Sequence, residues 1–260
     1  MVITTQQILD TIGTGLLPFA RITGMCMVAP VIGGRLVPVR VRVLLSVVLT
    51  LIVVPLSDST QAMTMGLGAA FLVLREVAIG VAIGFAVQMI FDAIVIGGQT
   101  ISMSMGLGFA TMVDPQRGNV PVLSQFYVVV STLLFLAINA HLALIGILVE
   151  SFELLPPGTG ALGATDAWAM VSFGSRMFAG AMQMALPAVA ALLVVNLAFG
   201  VMSRAAPNLN LFAVGFPVTM ILGFLILAVG VGNVAPALES LIDDAFRLAA
   251  GLATETAAGD

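Results

Sequence analysis

Residues 122–149, 177–203 and 211–238 contain no Asp, Glu, Lys or Arg at all. An apolar run of roughly 20 residues is what a helix needs to cross a bilayer, so each is long enough to be a span. The rest of the chain is nearly as poor in charge. Charged residues make up 8% of the 260 and hydrophobic ones 60%, where a soluble domain carries about a quarter charged. A surface made from such a composition cannot be kept in water by its own polar groups. The expected fold is therefore an all-α integral membrane protein of about six apolar helices, over 12–34, 41–57, 67–98, 122–149, 177–203 and 211–238. The second segment is short, and the third is long enough to tilt, break or extend beyond the bilayer.

The few charges exclude several classes. Lysine is absent and all nine basic residues are arginine. They form no stripe interleaved with aromatics, so nucleic acid is not an expected partner. Cys26 is the only cysteine, which rules out an internal disulfide and a thiolate metal cluster. The first arginine, Arg21, already lies inside an apolar run, so no basic n-region precedes it and the first hydrophobic segment is expected to be retained. Arg35, Arg40 and Arg42, then Arg117, then Arg204 mark alternate connections. By the positive-inside rule, 35–42, 99–121 and 204–210 are cytoplasmic and both termini lie outside.

Two connections differ from the rest. Residues 97–108 are rich in glycine, serine and methionine, and they continue into an apolar stretch that holds Asp114-Pro115. Glycine density and the Asp-Pro step predict irregular backbone there. Leu107, Phe109, Met112 and Val113 suit neither water nor lipid. Irregular apolar backbone at membrane depth is tolerated where it is buried in protein or lines a cavity. The other connection, 154–160, holds Pro156-Pro157 and divides the chain into parts of four and two segments.

Signals for catalysis are scarce. His141 is the only histidine, so no histidine pair or HExxH helix exists. No phosphate-binding glycine loop or nucleophile elbow occurs either. No metal, cofactor or enzymatic activity is expected. His141 fits either a proton shuttle or a hydrogen-bonded structural group at a helix contact. Arg21, Arg75, Glu76 and Asp92 are charges within apolar segments, each costing roughly 2.5–3.5 kcal/mol at a helix centre, so they should face protein or water. Arg75 and Glu76 project about 100° apart on a helix and cannot meet face to face, so each should reach another helix or subunit. A proton or ion path and interhelical adhesion both fit these four residues. Gly80 and Gly84 give a GxxxG spacing that permits close helix approach. Met103, Met105 and Met112 suit either gap-filling or a deformable seal around a passage.

Several stretches resemble the FliR family of flagellar (type III) export-gate subunits and its injectisome counterparts, along nearly the whole chain. They are Arg21-Ile22-Thr23-Gly24, Ala29-Pro30, Pro38-Val39-Arg40, the run from Met105 to Pro115, Asn139-Ala140-His141, Ala185-Leu186-Pro187, Asn196 to Gly200, Arg204-Ala205-Ala206-Pro207 and Gly215-Phe216-Pro217. The Met105–Pro115 and Arg204–Pro217 runs are specific together. The resemblance implies a P-subunit-like part over 1–155 and a Q-subunit-like helical hairpin part over 156–260. It implies one copy of the chain in a hetero-oligomer with P and Q subunits, forming the core of a secretion channel in the inner membrane of the flagellar basal body. The further partners it implies are the B switch subunit, the A subunit, the MS ring and unfolded flagellar export substrates. Gly106, Leu107, Gly108, Phe109, Met112, Val113, Asp114 and Pro115 would belong to a plug that closes the pore. Arg21, Arg75, Glu76 and Asp92 would serve subunit contacts, and Arg204 would sit at the hairpin tip. An injectisome gate subunit, a stand-alone secondary transporter and a membrane-embedded enzyme are the alternatives.

Overall fold

The computed structural model of the protein describes residues 5–34, 37–56, 67–107, 122–159, 162–205, 211–230, 232 and 234–254. Among them the regular structure is wholly helical. The elements are α1 (Thr5–Val28), α2 (Val39–Val53) with a short 3-10 turn after it (Val54–Leu56), α3 (Leu67–Ser104), α4 (Val122–Ala137), α5 (Ala140–Leu154), α6 (Ala164–Ala205), α7 (Leu211–Gly230) and α8 (Val234–Thr254).

Among the described residues eight α-helices stand where about six were expected, and the reasons are local. The 122–149 segment breaks because Asn139 sits at φ 57°, a left-handed conformation that Asn tolerates better than most residues. The Asn139 carbonyl then accepts from the Leu142 and Ala143 N–H groups and starts α5. The 211–238 segment ends as a helix at Gly230, and α8 begins at Val234. α8 is amphipathic, with Leu238, Leu241, Ile242, Ala245, Ala249 and Leu252 buried and Glu239, Asp243 and Arg247 exposed. That 3-4 spacing is a helical stripe, and it extends past the apolar run that marked the segment. Among the described residues two helices, α3 and α6, are long and apolar enough to cross a membrane, or up to four spans exist if each bent pair counts as one. The 15 residues of α2 rise only about 22 Å, short of a hydrocarbon core of about 30 Å.

The glycine-rich start of the 97–121 connection is also regular. α3 continues through Gly97 and Gly98 to Ser104. These glycines serve close packing: a Cβ on Gly98 would lie 2.8 Å from the Ser124 Cα, and one on Gly97 would lie 3.1 Å from the Ala181 carbonyl oxygen. Glycine density thus marked a contact surface rather than a loop. Pro18, Pro187 and Pro217 all lie inside helices, which apolar helices in a membrane setting accommodate.

The chain divides into two compact units. The first comprises Met1–Met89, Asn139–Gly174 and Ile242–Asp260, and the second Ile90–Ile138 and Ser175–Leu241. Both interleave segments from either side of Pro156-Pro157. In the first unit the core is the α1–α3 contact, with Ile22, Met25, Ile79 and Ile83 each at most 2% exposed. In the second, the Phe91 and Phe135 rings meet edge to face at 5.6 Å, and the Ser124 hydroxyl donates to the Val95 carbonyl at 3.0 Å.

Candidate functional site

In the first unit, three glycines bring α1 and α3 together. A Cβ on Gly24 would lie 2.5 Å from the Val77 carbonyl oxygen, one on Gly84 2.9 Å from that of Met25, and one on Gly80 would run into the Arg21 carbonyl. Helices in contact backbone to backbone leave no room between them for water. They also place Arg21, one turn before Gly24, beside Glu76, one turn before Gly80.

Both side chains are 0% exposed, and they are paired. Arg21 Nε donates to Glu76 Oε2 at 2.7 Å. Its Nη1 donates to the Ser151 carbonyl at 2.7 Å and lies 3.2 Å from the Ser151 hydroxyl oxygen, and Nη2 donates to the Leu155 carbonyl at 2.9 Å. The guanidinium also stacks 4.5 Å from the Phe152 ring centroid. The second Glu76 oxygen accepts the Gly158 N–H at 2.8 Å, and Gly158 has φ 87°, which favours glycine. Arg21 therefore caps the carbonyl end of α5, where a cation is favoured by the helix dipole. Glu76 holds the turn that follows. The cluster staples α1, α3, α5 and the Pro156-Pro157 turn together, and each nitrogen of the guanidinium and each oxygen of the carboxylate has a hydrogen-bonding partner. Of the two partners expected for Glu76, another helix or another subunit, the structure gives the first: Glu76 on α3 meets Arg21 on α1. Arg75 is half-buried in the first unit and Asp92 half-buried in the second.

The second unit holds the point where the 108–121 segment leaves α3. The helix ends in a Schellman motif: the Leu107 N–H donates to the Ser102 carbonyl at 3.1 Å and the Gly106 N–H to the Met103 carbonyl at 3.0 Å. Gly106 supplies the left-handed residue at φ 80°, and a Cβ there would touch the Phe216 ring at 3.5 Å. Met105 is 0% exposed and fills the space left by Gly223 on α7, where a Cβ would lie 2.7 Å from the Met105 Cγ. Beside this cap lies a cavity of about 690 Å³, lined among others by Met103, Asn196, Phe199, Ser203 and Phe216. The two methionines thus part company: Met105 is core, whereas Met103 is exposed on the cavity wall.

Of the residues expected in a plug, Gly106 and Leu107 are placed by this cap. Gly108, Phe109, Met112, Val113, Asp114 and Pro115 lie outside the described residues. Arg204 is exposed in the last turn of α6, which ends at Ala205, rather than in the connection beyond it. A cation there also complements the helix dipole. His141 is half-buried in the first turn of α5, and its Nδ1 is buried without a hydrogen-bonding partner. The Arg21–Glu76 partnership was missed in the sequence. Its signal was available, in two opposite charges that each precede, by about one turn, a glycine of an apolar helix.

Comparison with known proteins covers almost the whole chain. Residues 12–245 match the family model described as bacterial export proteins, family 1. The chain is 35% identical over 254 residues to the flagellar biosynthetic protein FliR of Escherichia coli (strain K12), covering 97% of each chain. It is 34% identical over 239 residues to the protein of that name in Pectobacterium carotovorum, covering 92% of each. The Caulobacter vibrioides protein of that name is 32% identical over 225 residues, 84% of this chain and 88% of the relative.

Proposed function

The chain belongs to the bacterial export proteins, family 1, and from that premise we propose that it is a pore-forming core subunit of the flagellar type III export gate, passing unfolded flagellar proteins across the inner membrane. The observation that carries the reading is the match along 97% of both chains to a flagellar biosynthetic protein. Its partners are P and Q subunits in a single-copy arrangement, with the B switch subunit, the A subunit and the MS ring around them in the basal body. Residues 1–155 are the P-like part. Residues 156–260 are the Q-like part, in which α6 and α7 form the hairpin and α8 is added.

Physical features support this reading over a stand-alone transporter or a membrane enzyme. Arg21 and Glu76 neutralise each other at 0% exposure, an arrangement suited to holding helices and ill-suited to relaying protons. Only 17% of the most apolar stretch of α6 is buried, so this helix needs lipid or other subunits to cover it. Coexpressed with P and Q subunits, the chain is expected to enter one large detergent-stable complex, and alone to aggregate. Size-exclusion chromatography of both preparations is the test. A stable, monodisperse monomer that ignores P and Q would contradict the proposal.

Arg204 marks the cytoplasmic tip of the hairpin and contacts a partner subunit that takes part in opening. Arg204→Glu is expected to reduce secretion more than it reduces assembly, since it reverses an exposed charge without touching the core. Secretion assays set beside chromatography of the same variant check this. Unchanged motility would leave Arg204 as a topology signal only.

A further inference from the structure

We infer that α6 and α7 grip the end of α3 and so position the chain that closes the pore, with Gly223, Phe216 and Asn196 as the positioning residues. The inference rests on the reading of this chain as a pore-forming subunit closed by its 108–121 segment. Such a segment can block a passage only while its base is held. That base is the cap of α3, from Ser104 to Leu107.

Three contacts hold the cap, all of them within the second unit. Met105, at 0% exposure, takes the room that a side chain on Gly223 would need: a Cβ there would lie 2.7 Å from the Met105 Cγ and 2.8 Å from its Sδ. One residue on, the turn rests on α7, where a Cβ on Gly106 would meet the Phe216 ring at 3.5 Å. From α6, Asn196 Nδ2 donates to the Ser104 carbonyl at 3.4 Å. The Schellman motif uses the Ser102 and Met103 carbonyls and leaves those of Ser104 and Met105 to other donors. Asn196 answers the first of these.

The three contacts act together because of where their residues sit. Phe216, Thr219 and Gly223 share one face of α7 at helical spacing, with Thr219 and Gly223 buried. A small residue there lets the end of another helix come close. Methionine is flexible and fills whatever room it is given, so the absence of a side chain at Gly223 decides where Met105 stops. A helix end held only by its own cap frays. Pinned on two helices, the end of α3 gives the chain beyond Leu107 a fixed starting point.

The test uses the full chain coexpressed with P and Q subunits, with complex yield and ionic conductance measured on the same cells. Gly223→Val fills the seat and Met105→Ala empties it. Each is expected to raise conductance per assembled complex about tenfold or more, since a truncated or overpacked buried methionine commonly costs at least that factor. Gly223→Val combined with Met105→Ala returns the volume from the other side and should restore the wild-type level. Asn196→Asp spares the core, because Asn196 is exposed, and sets a carboxylate against the Ser104 carbonyl. It should raise conductance at unchanged yield, and it alone decides if the two core variants do not assemble. A seat that only holds the fold would lower yield and leave conductance per complex at the wild-type level, and that result would overturn the inference. Deletion of 109–118 separates this failure from failure of the closing role. A leaky deletion beside tight Gly223→Val and Asn196→Asp complexes removes the grip alone, whereas a tight deletion removes the closing role itself.

Discussion

Glu76→Gln is expected to cost the first unit about 3–5 kcal/mol, the usual effect of removing one partner from a buried ion pair. The amide keeps the shape of the side chain and removes its charge, leaving Arg21 at 0% exposure with carbonyls but no anion. Because 1.4 kcal/mol is a factor of ten, the ratio of folded to unfolded chain should fall by about a hundredfold or more. The loss should appear as a collapse in the yield of assembled complex. Arg21→Met should be comparably severe, since it strands the Glu76 carboxylate on one N–H and releases the Leu155 carbonyl. The double variant Arg21→Met with Glu76→Met should recover much of the loss, because apolar side chains of similar volume remove both desolvation penalties together. Complex yield and thermal midpoint in detergent, measured on all three variants, check the pattern. A Glu76→Gln chain that assembles normally yet exports nothing would instead make Glu76 a functional proton site. Normal assembly with normal export would show that the pair holds nothing.

The severity follows from how the pair is built. Gly24, Gly80 and Gly84 remove the side chains that would separate α1 from α3, and the contact they allow excludes water from Arg21 and Glu76. Sequence reading found the GxxxG spacing and the buried charges as separate facts. It could not join them, because the register between two helices far apart in sequence is set by packing that no local pattern encodes. The same limit explains Gly97 and Gly98. Glycine permits both a turn and a close approach, and only the presence of Ala181 and Ser124 opposite decides which.

Much of the architecture was legible for a simple reason. In a bilayer setting, apolar length alone restricts the fold to helices, and 67–98 and 177–203 both fall inside single helices. What was lost lay at breaks and ends. Asn139 is one residue in a left-handed conformation, and it divides a segment that hydropathy reads as continuous. α8 was cut short because its stripe carries charge on the other face, so an apolar-run criterion stops where an amphipathic criterion would continue. At the candidate site, Met105 and Gly106 were singled out for their composition and proved to be a helix cap seated under α7. The identity of Gly223, which makes the seat, has no signal of its own in a helix with several glycines.

Deleting residues 109–118 should leave assembly intact and make membranes leaky, and this bears most directly on the claim that the chain forms a closed pore. The deletion spares Met105, Gly106 and Leu107, so the Schellman cap and the contacts with Phe216 and Gly223 that anchor the end of α3 remain. It removes Phe109, Met112 and Val113, apolar side chains suited to packing inside a closed channel. Closure of this kind need be only a few kcal/mol deep to keep the open state rare, so loss of those contacts should shift most complexes to the open state. The measurement is ionic conductance, with small-solute influx beside it, in cells expressing the shortened chain together with P and Q subunits. The account predicts an intact complex and a large rise in conductance over wild type. A shortened complex that assembles and stays as tight as wild type would contradict it, and would reduce the 108–121 segment to a linker.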